Sequence, residues 1–261
     1  MTTSPIRIHA VITLTSPTGL LHLNKVASVV RVLNNIRGIY ADLPVTIAVP
    51  KSEESTVQDL LERAGLHSGT SGETHVEAKS DIHKGEKGLV TPMQDDGGSR
   101  TNLANTNIVI CDPTSPVDLA KTLADIISST DALLIADAST PLTRPDQFEK
   151  LVTSFKAGSD AVRPYIAFTE TLKIVDSKAI IKETLDRTSV KRIQSPEMIR
   201  CSAIDVQPDR DFQGSAGGWS VPLKVGARVD YVEGIPEALR INTEDDRDLL
   251  ESFLHWRSTN A

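Results

Sequence analysis

The stretch Asp131-Ala-Leu-Leu-Ile-Ala-Asp-Ala-Ser-Thr-Pro141 decides how the rest of the chain is read. A short apolar run bounded by polar residues fits a fully buried strand of a parallel sheet. The run ends in a carboxylate, Asp137, followed by small residues and a proline. Open α/β sheets bind ligands at the carboxyl ends of their strands. An Asp at such a point can hold a divalent cation through hard oxygen ligands, and the cation can hold phosphates. The alternative, that Asp137 only caps the turn after the strand, stays open at this level.

Upstream of that strand, residues 6–14 read as a first buried strand. Residues 25–39 place Val26, Val29, Val30, Leu33 and Ile36 at helical spacing, with Gly38 as a stop, so Lys25 is expected to open a helix. Residues 45–49 form a second strand ended by Pro50, and residues 52–64 a helix closed by Gly65. Residues 108–111 are a short strand, and residues 116–128 a helix with proline in its first turn. Downstream, residues 144–157 read as a helix capped by Thr143 and stopped by Gly158. This alternation predicts an α/β fold with a mostly parallel, doubly wound sheet.

After Gly158 the pattern turns extended. Residues 161–168 and 171–175, with short strands near 179–183 and 189–193, predict a β-arm over about 162–193. Residues 196–201 read as a helical turn and residues 228–232 as a late strand. Residues 244–257 are a closing helix with Thr243 as N-cap and acids in its first turn. One segment interrupts the order. Residues 66–107 are rich in Gly, Ser, Thr, Asp, Glu and Lys with almost no apolar periodicity. Composition assigns them as a disordered insertion within a single domain spanning 1–261.

Composition narrows the function classes. The 261 residues suit one large domain or two small ones, and the net charge of −7 opposes non-specific nucleic-acid binding. No stretch approaches a membrane span, and the amino terminus lacks a signal-peptide pattern, so a cytoplasmic protein is expected. Cys111 and Cys201 lie outside any metal-binding spacing; a single disulfide between them stays open.

Three polar strings in the second half carry candidate chemistry: Phe168-Thr-Glu-Thr-Leu-Lys173, Thr184-Leu-Asp-Arg187, and Glu233-Gly-Ile-Pro-Glu-Ala-Leu-Arg-Ile-Asn-Thr-Glu-Asp-Asp246. Each alone also reads as a solvated turn. In order, they resemble the second half of the 2-C-methyl-D-erythritol 4-phosphate cytidylyltransferase family. That family's His-Asp-Ala-Ala-Arg-Pro segment resembles Ala136-Asp-Ala-Ser-Thr-Pro141. Its Asp-Thr-hydrophobic-Lys segment resembles Glu170-Thr-Leu-Lys173. Its Thr-hydrophobic-Asp-Arg and Thr-Pro segments resemble Thr184-Leu-Asp-Arg187 and Ser195-Pro-Glu-Met198. Its Val-Glu-Gly and Asn-Ile-Lys-hydrophobic-Thr segments resemble Val232-Glu-Gly234 and Leu239-Arg-Ile-Asn-Thr243. The resemblance runs from about Ala132 to Leu254.

The resemblance implies a Rossmann-like nucleotidyltransferase fold with a dimerisation arm, and hence a homodimer. It implies CMP transfer from CTP to 2-C-methyl-D-erythritol 4-phosphate, with Mg²⁺ as cofactor. Asp137 would sit near the metal and the cytidine ribose. Thr171 and Arg187 would hold the phosphorylated polyol with Lys173 beside them. Arg240 would stand where the family has a lysine near the phosphates; its fork is not equivalent to an ammonium.

The first half departs from the family. In place of a Gly-x-Gly-x-Arg loop and a following Pro-Lys, the first strand runs into Thr15-Ser-Pro-Thr-Gly-Leu-Leu-His-Leu-Asn24, with no Lys or Arg before Lys25. Lys25 is thus the first cation that could reach phosphate. Thr140 replaces the turn's arginine, Cys111-Asp-Pro-Thr-Ser-Pro116 replaces the base-reading segment, and Ala216-Gly-Gly218 falls where the family has acids. Oriented charges carry phosphoryl transfer. Two alternatives therefore accompany the enzyme reading: a non-catalytic relative acting as a binding or partner subunit, and a nucleotidyltransferase for another sugar or polyol phosphate.

Overall fold

The computed structural model describes residues 6–65, 105–207 and 218–260. Most of the expected 66–107 insertion lies outside them, but its last residues do not: β5 begins at Thr106, because Thr106 and Asn107 pair with Val45 and Thr46.

The strands are β1 (Ile8–Thr13), β2 (His22–Leu23), β3 (Val26–Ala27), β4 (Val45–Val49), β5 (Thr106–Ile110), β6 (Ala132–Asp137), β7 (Ala161–Ala167), β8 (Leu172–Val175), β9 (Ile181–Leu185), β10 (Lys191–Ile193), β11 (Glu197–Arg200) and β12 (Val229–Glu233). The helices are α1 (Ser28–Ile39), α2 (Glu54–Arg63), α3 (Pro116–Thr122), α4 (Ala124–Ser129), α5 (Pro145–Lys156) and α6 (Glu244–Thr259). Strands β6, β1, β4 and β5 are parallel neighbours in that order. Burial on both faces explains the apolar runs of β1, β4 and β6. Antiparallel β11 joins β6 to β7, and β12 lies parallel on the other edge of β7. The result is a mixed, mostly parallel α/β sheet with helices around it.

One core packs α1 and α5 against Ile12, Ile47 and Leu134. A second packs α3 and α4 with Trp219 and Val221 against Val11, Leu133, Ile135 and Ile199. Both cysteines are free and buried, and burial pushes the Cys111 thiol up to about 11. Among the described residues no helix is long and apolar enough to cross a membrane.

Several sequence expectations change. Residues 196–201 are not a helical turn. Glu197–Arg200 forms β11, paired with β6 on one side and β7 on the other, and this slot in the sheet overrides the local Pro-Glu signal. The helix expected at 116–128 is broken into two at Leu123. Thr143 does not cap α5; its hydroxyl donates back to the Thr140 carbonyl, and α5 starts without a side-chain cap. The expected arm over 162–193 is narrower. β7 and β10 belong to the main sheet, and only β8 and β9 form a separate two-stranded ribbon. At the far end Thr243 does cap α6, in a reciprocal box with Asp246.

Candidate functional site

The site lies at the carboxyl end of β6, where Asp137 follows five buried residues. Chain geometry alone puts the carboxylate at the sheet's ligand-binding edge. Distant residues then surround it. Arg240 Nη1 donates to Asp137 Oδ2, and Thr15 Oγ1 donates to the same oxygen at 2.8 Å. Arg240 Nη2 donates to Thr15 Oγ1 at 2.9 Å. The Ser139 N–H donates to Asp137 Oδ1 at 2.7 Å, and the Asp137 N–H donates to Ser195 Oγ at 2.9 Å. Asp137 therefore both caps its turn and holds a guanidinium. Asp137, Thr15, Ser195 and Arg240 line a cleft of about 720 Å³ that also takes in Arg163, Arg192, Glu197 and Asn242.

Arg240 reaches Asp137 because Ile241 is pinned. Its N–H donates to the Ser139 carbonyl at 2.8 Å, and its carbonyl accepts from Thr18 Oγ1 at 2.7 Å. Residues 239–241 are thus tied to the turns after β1 and β6 before α6 begins. The turn after β1 is closed on itself. Pro17–Leu20 is a single 3-10 turn with Ser16 as N-cap, and the N–H groups of Thr18, Gly19 and Leu21 are all used inside it. A Cβ on Gly19 would come within 2.7 Å of Leu14 and 2.8 Å of Ala138.

Deeper in the cleft sits a buried ion pair. Arg163 on β7 and Glu197 on β11 are 2% and 7% exposed, and their closest N···O separation is 3.5 Å. The Arg163 guanidinium lies 3.4 Å over the Trp219 ring, and the Ser220 N–H donates to Glu197 Oε1 at 2.8 Å. Burial holds the Glu197 carboxyl above the usual carboxylate range, with Arg163 and Ser220 pulling the other way.

Of the six expected site residues, Asp137 and Arg240 meet. Lys25 does not open α1. It sits with Asn24 at the tip of a two-residue hairpin between β2 and β3, at φ values of 67° and 47°, because both central positions of such a turn need positive φ. It is exposed and is not among the cleft-lining residues. Thr171, Lys173 and Arg187 lie on or beside the ribbon. Lys173 Nζ donates to Thr184 Oγ1 at 2.6 Å, and Arg187 Nη1 donates to the Thr169 carbonyl at 2.6 Å. None of the three lines the Asp137 cleft. A second hollow of about 520 Å³ lies at the ribbon's foot and shares Arg192 with the cleft.

Sequence reasoning did not single out Thr15, Arg163, Glu197 or Trp219. One signal was available: Arg163 is a lone charge in the otherwise apolar start of a strand, Ala161-Val-Arg-Pro164. As to metals, no group of three His, Cys, Asp or Glu comes together among the described residues. Mg²⁺ demands near-octahedral oxygen ligation. Asp137, already engaged by Arg240, Thr15 and Ser139, does not by itself fit a resident Mg²⁺ held by protein.

Comparison with known proteins bears on this geometry. The family model for 2-C-methyl-D-erythritol 4-phosphate cytidylyltransferase matches residues 89–255. The enzyme of that name from Saccharopolyspora erythraea is 29% identical over 147 residues, covering 54% of this chain and 63% of that protein. Its counterpart from Nocardia farcinica is 28% identical over 137 residues, covering 52% and 59%. The chain thus spans less than two thirds of the length of these two relatives. The fold is similar to a solved 4-diphosphocytidyl-2C-methyl-D-erythritol synthase, with TM-score 0.65 and 13% identity, covering 96% of this chain and 100% of that one. It is also similar to the 2-C-methyl-D-erythritol 4-phosphate cytidylyltransferase of Thermus thermophilus, with TM-score 0.61 and 14% identity, covering 96% and 100%.

Proposed function

Because this chain belongs to the 2-C-methyl-D-erythritol 4-phosphate cytidylyltransferase family, we propose that its Asp137–Arg240 cleft takes CTP and 2-C-methyl-D-erythritol 4-phosphate and transfers CMP between them. An oxygen of the acceptor phosphate attacks the α-phosphorus of CTP. The bond to the β-phosphate oxygen breaks, and pyrophosphate leaves with the electron pair. The observation that carries this reading is the Asp137–Arg240–Thr15 constellation at a strand's carboxyl end, inside the cleft.

In this reading Arg240 has N–H donors beyond those given to Asp137 and Thr15, and it presents them to phosphate. Asp137 orients that guanidinium and accepts from a ribose or polyol hydroxyl. Mg²⁺ carried by the CTP phosphates would supply charge neutralisation there. Thr171, Lys173 and Arg187 act on the acceptor phosphate from the ribbon of a second copy, in a homodimer, since their own ribbon carries them away from the cleft. Lys25 has no part in it.

A second reading, a relative that binds a phosphorylated ligand without turning it over, is favoured by one specific observation. The turn at residues 15–20 turns the N–H groups of Thr18 and Gly19 inward onto Ser16 and has no cation. The test is pyrophosphate release by the purified protein with CTP, Mg²⁺ and 2-C-methyl-D-erythritol 4-phosphate, beside Asp137→Ala. Release that disappears in the variant supports transfer. No release, with a thermal shift on adding the polyol phosphate, supports the second reading. Neither release nor a shift overturns both.

A further inference from the structure

Sheet register places Glu197 in an informative position. Glu197 stands opposite Ile135 on β6, and Ile199 stands opposite Leu133. Ile199 in turn faces Ala161 on β7, so continuing the ladder brings Arg163 beside Glu197. Residues two apart on a strand share a face. One face of the sheet therefore carries three successive rows. The first, Leu133, Ile199 and Ala161, is wholly apolar and buried. The second is Ile135, Glu197 and Arg163. The third reaches Asp137, roughly 7–8 Å diagonally from Glu197. The apolar core stops and a charged floor begins one row beneath the proposed phosphate site.

Packing by itself does not demand an ion pair there. A buried ion pair is generally no more stabilising than apolar residues of the same volume. Glu197 Oε1 accepts from the Ser220 N–H, and its Oε2 faces Arg163 Nη2 at 3.5 Å. Arg163, stacked on Trp219, and the Ser220 N–H fix the direction of the carboxyl group against the cleft.

We propose that Glu197 is a specificity-determining residue of this cleft, whose carboxyl oxygen accepts a hydrogen bond from a hydroxyl of a phosphorylated polyol bound with its phosphate at Arg240. This rests on the polyol-phosphate part of the preceding reading, and it holds whether or not the bound molecule is turned over. Arg163 and Trp219 act through Glu197 and are positioning residues. The carboxyl group thus selects for a hydroxylated chain over an alkyl phosphate of similar length. A site that keeps a buried polar group for a substrate hydroxyl penalises the analogue lacking it, because that group is then left without its partner.

The experiment measures dissociation constants by calorimetry for 2-C-methyl-D-erythritol 4-phosphate and n-butyl phosphate, on the wild type, Glu197→Gln and the double variant Arg163→Met/Glu197→Leu. The double variant removes both charges together, and its melting temperature is checked so that a folding defect is not mistaken for lost recognition. Wild type is expected to prefer the polyol phosphate by about tenfold or more. The preference should fall below about threefold in the double variant, with n-butyl phosphate binding unchanged. An equal preference in wild type and in a folded double variant overturns the role of Glu197 and leaves the proposed function standing. Wild type that binds neither phosphate overturns both.

Discussion

β1 and β6 are parallel neighbours with Thr13 opposite Asp137, so both chains leave the sheet at the same edge. They leave it differently. After β1 the backbone closes on itself: Ser16 caps a single turn, the N–H groups of Thr18, Gly19 and Leu21 are used within it, and Gly19 is wedged against Leu14 and Ala138. After β6 the turn is closed by the Thr140 N–H on the Asp137 carbonyl, but the Asp137 side chain is held by Arg240 and Thr15 at the border of an open cleft. A turn sealed by backbone and packing opens only by local unfolding. A half-exposed guanidinium exchanges partners within one conformation. In the proposed function, anion recognition at this edge falls to the β6 side and to residues 239–242, with the β1 turn as their abutment.

Arg240→Gln separates the two ends most sharply. Removing one oriented cation from a phosphoryl-transfer site is expected to lower pyrophosphate release about 10²-fold or more. The urea unfolding free energy should move by less than about 1 kcal/mol, because the Arg240 side chain is 41% exposed and its ion pair is screened. A large stability loss with unchanged turnover would make Arg240 structural and erase the contrast. Gly19→Val tests the other end. Overpacking against Leu14 and Ala138 should destabilise by about 1–3 kcal/mol, read as a lowered denaturation midpoint. A variant as stable as wild type would mean that the turn yields easily, and the abutment argument would fail.

Smaller effects sharpen the picture around the cleft. Thr243→Ala removes the cap that starts α6 just after Arg240 and should destabilise by about 1 kcal/mol in a urea titration. If α6 only decorates the site, turnover stays as it was. The last effect is one of pH. The folded-state pKa of Glu197 is raised by burial, so between the ordinary Glu value and the raised one the native chain holds a proton that the unfolded chain has lost. Stability contributed by this group then falls as pH rises through that interval. Denaturation midpoints taken across it should decline in wild type and flatten in Glu197→Gln. A wild type without that decline would place Glu197 in a better-solvated setting than its burial indicates.

The strands around the site were legible because their apolar runs are local signals. Residues 132–136 and 45–49 announced themselves, and Asp137 was marked by standing at the end of one of them. Thr243 was legible for the same reason, since a cap and its acids lie within one turn. Residues 196–201 were misread because Pro-Glu is also a helix-start pattern, and only a vacant slot between β6 and β7 makes Glu197–Arg200 a strand. Lys25 was misread because apolar spacing from Val26 onward mimics a helix, whereas two positive φ angles turn the chain there and delay α1 to Ser28.

By itself the sequence determined the alternation of strands and helices, the carboxylate at a strand's end and the likeness of the second half to one family. Tertiary structure alone decided which of the candidate residues meet. Asp137 and Arg240 are 103 positions apart, and no period or spacing links them; the pinning of Ile241 to the turns after β1 and β6 does. Lys173 and Arg187 are cations like Arg240, yet they and Thr171 lie on or beside the ribbon, away from the cleft. Glu197 and Arg163 become a pair only through the register of β7, β11 and β6. Local propensity is written in neighbouring residues, whereas strand order and register depend on which faces must be buried together, and that balance exists only once the whole sheet has formed.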